Sequence, residues 1–457
     1  MSMASEISPL MRELSTYMAG AIKRRLPADV AERAKLHLLD TFAAMLSGSR
    51  LRPGKSAIAY VKSRGGPREA GVVGTRIVTS VLHAALANGM CGHADETDDV
   101  HPPTSAHPGA GVVPAVLAIA ERERLPGETM LRAMVLGYEI YTRTLLTITS
   151  KQLLRTGHHP GAKCGIFGAG AACGALLKLN AQEMRYLLSY LAQQAAGLGT
   201  IFRDSRHVEK AYACAGMPAH NGVGAALMVA SGFTGVEDVL SGEHNFLSTY
   251  APEADRETLV RGLGREYEIM RVRVKLWPVG GPIQAPLHVL SDLMRQYGFR
   301  ANDVKRLVVR LSKTDLWVVS NRDMLDISLQ HLLAIMLLDG NVTFASAHDL
   351  ARKKDPEVIK LRRRMQMIAD ESLAVAVRDW RCAMEVTLKD GRKLARQTMV
   401  ANPRFGIPIA RERVQEKALD LVAPILGKQR GNALISALLN IEGIKDARML
   451  RRLYAHY

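Results

Sequence analysis

The sequence predicts a mainly α-helical protein: a large helical domain built from both chain ends, with a smaller α+β domain inserted between them. Three observations predict it. Most apolar segments repeat at helical spacing and are apolar nearly all round, as helices buried in a bundle must be. Alternating, Val-rich segments are confined to about residues 268–403. The helical texture returns after Pro403 and Pro408. A chain of 457 residues exceeds one ordinary core, so two domains are expected: 1–267 with 404–457, and 268–403.

Taken in order, Leu10–Leu26 carries Leu10, Leu14, Met18 and Ile22 on one stripe and is ended by Pro27. Val30–Leu46 follows and closes at Ser47-Gly48. Val81–Met90, Gly111–Arg122, Gly127–Ile148, Gly165–Leu179, Ala181–Leu198 and Gly222–Ser231 read as buried helices. Beyond them, Tyr267–Leu276 and Val304–Leu311 alternate, with Leu307, Val309 and Leu311 on one face. Ala383–Leu388 and Arg392–Met399 flank Lys389-Asp390-Gly391, a hairpin signal. Pro286–Tyr297 and Ser328–Leu338 are helices between these strands. Arg411–Leu421, Asn432–Leu439 and Lys445–Tyr454 complete the helical domain.

Apolar residues make up 47% and aromatics only 5%. Small residues and Met therefore fill the core, which suits close-packed helices better than a β-sandwich. The formal charge is +17, from 61 Lys+Arg against 44 Asp+Glu. The basic residues are dispersed, and clusters such as Arg362-Arg363-Arg364 lack interleaved aromatics. Solvated helix faces explain them better than nucleic acid. Cys91, Cys164, Cys173, Cys214 and Cys382 form no CxxC and no regular framework, so reduced, buried thiols of a cytoplasmic protein are expected. Residues 1–26 lack a basic leader followed by an apolar core, and no apolar stretch suits a bilayer span. Neither a signal peptide nor a membrane partner is expected.

Three polar islands could carry chemistry. The segment His93–Gly109 holds Asp95, Glu96, Asp98, Asp99, His93, His101 and His107 between two apolar helices. It fits a metal site, or an acid–base cluster whose members tune one another. Simple capping by Asp98 and Asp99 is the structural alternative. With no HExxH and no EF-hand loop, a metal is not expected. The second island, Gly157–Gly165 with His158 and His159, feeds a helix N-terminus near Ile166, an end that favours anions. The glycines at 168, 170 and 174 follow no strand, so they indicate close helix packing and not a dinucleotide loop. The third island holds Arg203, Arg206, His207 and Lys210, cations able to grip carboxylates; a solvated loop is the alternative.

In this order, the islands resemble the MmgE/PrpD family. The resemblance is carried by Leu38-Leu39-Asp40-Thr41, Ala87-Asn88-Gly89, His93-Ala94, Glu96, Asp98-Asp99 and His107-Pro108-Gly109. Gly137-Tyr138-Glu139 with Arg143, Gly157 with His159-Pro160, Lys210, Gly216 and Gly222 continue it, as do Asp326, Ser328 and Gly340. It implies a helical domain, a lid-like α+β domain, a homodimer and no cofactor. It also implies proton removal next to a carboxylate of a small di- or tricarboxylic acid: dehydration, decarboxylation or epimerisation. Carried over position by position, the site residues are Glu96, His107, His159, Lys210 and Lys275. The sequence departs from the family pattern at Val100, where Thr is usual, and at Glu96, where the decarboxylase has Asp. Gly280 and Gln284 stand where relatives carry histidines.

The expected activity is therefore that of a cofactor-independent lyase, a dehydratase first. An isomerase or epimerase, a decarboxylase and a non-catalytic anion-binding protein remain as alternatives. His107 and His159 would move protons, with Asp98 or Asp99 orienting an imidazole. Arg203, Arg206, Lys275 and His101 would face the substrate, and Lys210 would stabilise charge. Pro108 confines His107 to extended backbone, turning its ring from the following helix toward a cleft.

Overall fold

A computed structural model describes residues 7–374, 380–398 and 410–456. It is mainly helical. The chain divides into two compact units: Met1–Ala94 with Asp98–Val274 and Val414–Tyr457, and Asp95–Thr97 with Lys275–Arg413. The expected domain end at 403 lies outside the described residues. Among those described, no helix is long and apolar enough to cross a membrane.

The larger unit is built on helices α1 (Pro9–Gly20), α2 (Ala28–Gly48), α3 (Arg52–Arg64), α4 (Val81–Gly92), α5 (Pro108–Glu123), α6 (Gly127–Ile148), α7 (Pro160–Leu176), α8 (Ala181–Gln194) and α9 (Met217–Ala230). It is not wholly helical, because Ala70–Gly71 and Val78–Thr79 pair as a short antiparallel ladder. α7 is its axis, packed against α5, α6, α8 and α9, with every residue buried. The glycines explain how α7 fits. A Cβ on Gly168 would lie 2.5 Å from the Gly137 carbonyl oxygen, and one on Gly137 would lie 3.0 Å from that of Gly168. α6 and α7 therefore touch backbone to backbone.

Several helix starts lie earlier than the apolar pattern suggests. Ser8 caps α1 by accepting from the Met11 amide. α5 and α7 each begin at a proline that needs no intrahelical donor, Pro108 and Pro160. α7 thus starts six residues before Ile166, and His159 becomes its N-cap.

The smaller unit holds a four-stranded mixed sheet of strands β1 (Val304–Leu311), β2 (Met365–Ala369), β3 (Ala383–Leu388) and β4 (Lys393–Gln397), in the order β2-β1-β3-β4. β1 runs parallel to β2 and antiparallel to β3. Leu307, Val309 and Leu311 are buried, as the alternation predicts. Gly391 turns the hairpin at φ 93°, a value that favours glycine. Helices Gly281–Tyr297 and Leu329–Asp339 pack together in this unit.

One expected strand is absent. Tyr267–Leu276 forms a 3-10 turn at Glu268–Arg271 and a single bridge between Val100 and Arg273. Its alternation reflects burial of Ile269, Val272 and Val274 in the larger unit. The Glu268 amide donates to the buried Glu139 carboxylate, so a side chain, not a neighbouring strand, satisfies the backbone there. Glu139 is itself fixed by Arg143, 2.9 Å away.

Candidate active site

Two histidines occupy equivalent positions in the larger unit. His107 and His159 are each the N-cap of a helix, and each is followed by Pro and Gly. The glycines are required by close approach. A Cβ on Gly109 would lie 2.4 Å from Thr41 Oγ1, and one on Gly161 3.0 Å from Tyr141 Oη. His107 has φ −117° and ψ 74°, outside helical space as a residue before proline must be. Its side chain is 15% exposed.

Asp98 links His107 to His93. His93 Nδ1 lies 2.9 Å from Asp98 Oδ2, and His107 Nδ1 lies 3.3 Å from Oδ1. The two rings are 4.8 Å apart, centre to centre. Burial alone would raise the Asp98 carboxyl, but the imidazoles of His107 and His93 outweigh it and hold it well below its usual range. Burial likewise disfavours the His93 cation, yet Asp98 and Cys214 raise its pKa to about 10. A carboxylate facing both Nδ1 atoms leaves Nε2 of His107 as the nitrogen available for proton transfer.

His159 lies at the other end of this cluster. Its Nδ1 accepts from the Ala162 amide at 3.3 Å and lies 3.6 Å from Cys214 Sγ, and its ring packs on Phe202. The His207 ring lies 5.3 Å from that of His93, tilted against it. His207 does so at φ 59°, a left-handed conformation that costs a non-glycine residue about 1–3 kcal/mol.

The structure therefore gathers His93, Asp98, His107, His159, His207 and Cys214. Of these, His93, His207 and Cys214 were not among the site residues expected from sequence. His207 belongs to the third polar island, where cations drew the attention, and Cys214 lies in a small-residue run indistinguishable from core. All five cysteines are free and buried, as expected.

Other expected site residues lie elsewhere. Asp99 is buried in a separate network. It accepts from Tyr138 Oη at 2.7 Å and from the Gly109 amide at 3.0 Å, and lies 2.9 Å from His37 Nδ1. It braces the start of α5 and does not orient His107. His101 is fully buried, with Nδ1 at 2.9 Å from Thr104 Oγ1 and Nε2 at 3.1 Å from Glu268. Both ring nitrogens are engaged in the protein, which removes the reason for assigning it to substrate. Arg203 and Arg206 are exposed, and Lys210 is half-buried. Asp204 accepts from the Arg206 and Lys210 amides and so fixes the turn that carries them.

Glu96 and Lys275 belong to the smaller unit. Lys275 is 2% exposed; its Nζ donates to the Glu96 carbonyl at 2.6 Å and lies 3.8 Å from the Glu96 carboxylate. Beside them, His348 Nε2 lies 3.2 Å from Asp95. Burial would lower the His348 pKa, but Asp95 raises it to about 9. Burial pushes Asp326 up to about 6. Gln284 clamps the loop after Lys275. Its carbonyl accepts from the Leu276 and Trp277 amides, and its amide donates to the Trp277 and Val279 carbonyls. A side chain with all these bonds is a brace and not a substitute acid or base. Gly280 donates its amide to the Asp326 carbonyl. Val100 forms both bonds of its bridge to Arg273, a backbone role indifferent to the missing hydroxyl.

Donor atoms of His93, Asp98 and His107 lie within 4.8 Å of one another, a spacing that a metal ion could draw together. The distances to Asp98 are those of carboxylate–imidazole pairing, which already uses Nδ1 of both rings.

The relatives are distant but match nearly the whole chain. The cis-aconitate decarboxylase of Aspergillus terreus (strain NIH 2624 / FGSC A1156) is 26% identical, with 96% of this chain and 94% of that protein covered. The cis-aconitate decarboxylase-like protein oryM of Aspergillus oryzae is 25% identical, covering 95% of each. The cis-aconitate decarboxylase of Homo sapiens is 24% identical, covering 98% of this chain and 95% of that protein. Residues 12–259 match the MmgE/PrpD N-terminal domain and residues 277–441 the MmgE/PrpD C-terminal domain, so the chain belongs to the MmgE/PrpD family of enzymes.

Proposed function

We propose that the protein is a cofactor-independent lyase that moves protons next to a carboxylate of a small di- or tricarboxylic acid. The observation that carries this reading is the pair of His-Pro-Gly helix starts held around Asp98, His93 and Cys214. They supply two imidazoles at rigid positions, each with a different partner behind its ring. His107, with Asp98 at Nδ1, is the base. His159, whose Nδ1 accepts from a backbone amide, carries its proton on Nε2 and is the acid. The positive dipole ends at the starts of α5 and α7 favour the negative charge that grows on the substrate. Within the smaller unit Lys275 and Glu96 balance one another's charge, Nζ lying 3.8 Å from the carboxylate and bonding the Glu96 backbone.

Dehydration is the first reaction assigned. Decarboxylation is the second reading, favoured by the names of the relatives at 24–26% identity. A turnover screen over di- and tricarboxylic acids, cis-aconitate included, tests both. Dehydration appears as new alkene absorbance without gas release, and decarboxylation as released carbon dioxide. Loss of optical rotation with neither would indicate an epimerase. Tight binding of these acids without turnover would indicate an anion-binding protein and refute the lyase reading.

A further inference from the structure

His93 and His107 share one carboxylate from opposite ends of two helices. His93 is the C-cap of α4, and His107 is the N-cap of α5. A helix carries partial negative charge at its C-terminus and partial positive charge at its N-terminus. The first end favours an imidazolium and the second disfavours one. Between the two rings lies Asp98, fully buried. One of its oxygens is 2.9 Å from Nδ1 of His93 and the other 3.3 Å from Nδ1 of His107. His93 is also fully buried, so no solvent shares in balancing its charge.

This polarity decides which ring bears the cation. One buried carboxylate balances one imidazolium, and a second cation 4.8 Å from the first, centre to centre, would meet like-charge repulsion. The C-terminus of α4 gives the cation to His93. Cys214, carried on the single π-helical turn Tyr212–Gly216, acts in the same direction. Burial would raise its thiol, but the imidazoles of His159 and His93 hold it well below the usual range, so it adds negative charge near His93. Burial opposes the His93 cation, yet Asp98 and Cys214 raise its pKa to about 10. The other titratable groups around the pair are His159 beside Cys214, His207 beside His93, and Tyr141 of α6, whose hydroxyl burial pushes well above its ordinary value and keeps neutral. Asp99 has its own partners in Tyr138, Gly109 and His37.

We propose that His93 is a positioning residue that acts through Asp98: its imidazolium balances the carboxylate, so that His107 is left neutral and able to take a proton from substrate. Without a charge on His93, Asp98 would favour the cation on His107 instead, and a ring that already holds both protons cannot act as a base. In the reaction the substrate C–H bond breaks, an N–H bond forms at His107 Nε2, and the electron pair passes to the substrate's carboxylate. His93 gains and loses no proton. This inference rests on the reading of His107 as the base.

The charge of His93 is separable from its hydrogen bond to Asp98. His93→Asn retains an N–H donor close to the position of Nδ1 and removes the charge. His93→Gln also removes the charge and serves as the second variant should the first not fold.

The experiment is nitrogen-15 NMR of the full chain with labelled histidine from pH 5 to 10, on wild type, His93→Asn and His107→Ala. Folding is verified by circular dichroism, and the missing signal in each variant assigns its ring. The expected result is a wild-type His93 ring that holds both protons at pH 7.5. In His93→Asn the titration of His107 should move to higher pH by about one unit. A neutral His93 at pH 7.5 in wild type, or a His107 titration unmoved in the folded variant, overturns the proposal. This arm needs no substrate, so it stands apart from failure of the lyase reading. With an acid that is turned over, the acid limb of kcat/KM in His93→Asn should move to higher pH by about one unit, a roughly tenfold loss on that limb. Most of the rate should return at higher pH. A uniform loss with the limb unmoved also overturns the proposal, since that is the signature of a purely structural role.

Discussion

Asp98 faces the Nδ1 atoms of both His93 and His107, at 2.9 Å and 3.3 Å. One buried carboxylate thus fixes two imidazoles that lie on different elements, the end of α4 and the start of α5. This makes the roles of the two rings separable. His93 is fully buried and holds charge, whereas His107 retains some exposure and a free direction at Nε2.

His107→Ala should therefore lower turnover about 100- to 10,000-fold, the usual worth of a positioned proton-transfer group. KM should change much less, because helix N-termini and cations elsewhere hold the carboxylates. The melting temperature and the turnover per folded molecule, measured on one preparation, distinguish this from a packing role. Full turnover per folded molecule, with a lowered melting temperature, would end the catalytic assignment.

The Asp98–His93 pair makes stability depend on pH in a defined way. The folded-state pKa of His93 is raised to about 10. Its contribution is complete below about 6.5, the free value, and is lost as pH rises through about 10. The folded-state pKa of Asp98 is depressed, so its contribution is present above the ordinary carboxylate range and is lost as pH falls. Asp98→Asn should cost about 3–5 kcal/mol near neutral pH, the scale for breaking a buried pair, and the cost should shrink toward pH 10. Denaturant melts from pH 5 to 10.5 check this; a gap that stays constant over that range contradicts it.

Much of the fold was legible in the sequence, because helices buried on all sides and a two-period sheet leave strong patterns. Gly127–Ile148, Val304–Leu311 and Ala383–Leu388 have the bounds that their patterns indicate. Helix starts were less legible. α7 begins at Pro160, where polar residues and glycine mask the capping geometry that only the folded chain reveals. The motif order named His107, His159 and Asp98 as candidates, and the structure places Asp98 beside His107. The order could not separate Asp98 from Asp99, adjacent residues whose carboxylates serve different networks. Cys214 gave no signal either, since a π turn depends on how its helix packs and not on local composition.

Chelation should leave activity unchanged. Asp98 already pairs with the Nδ1 atoms of His93 and His107, and a metal would have to displace both contacts. The check is dialysis against EDTA followed by assay with and without added divalent ions. Activity lost on dialysis and restored by one ion would show that the 4.8 Å grouping of these donors closes around a metal.

Asp326 provides a test in the smaller unit. It is buried with Oδ2 lacking a hydrogen-bond partner. Burial raises its pKa to about 6, opposed by His348 and reinforced by Asp95 and Glu96. Because the folded value lies above the unfolded one, its contribution is complete below the unfolded carboxylate value and is lost as pH rises through about 6. Above that, the fold carries a buried charge costing about 3 kcal/mol, from some two pKa units at 1.36 kcal/mol each. Asn keeps an oxygen for the Glu96 amide, which hydrogen-bonds this carboxyl, and removes the charge. Asp326→Asn should therefore melt higher than wild type at pH 8, with the gap closing by pH 4. Thermal melts of both proteins at the two pH values check it. A variant that melts lower at pH 8 would mean that His348 stabilises the Asp326 carboxylate more than burial opposes it.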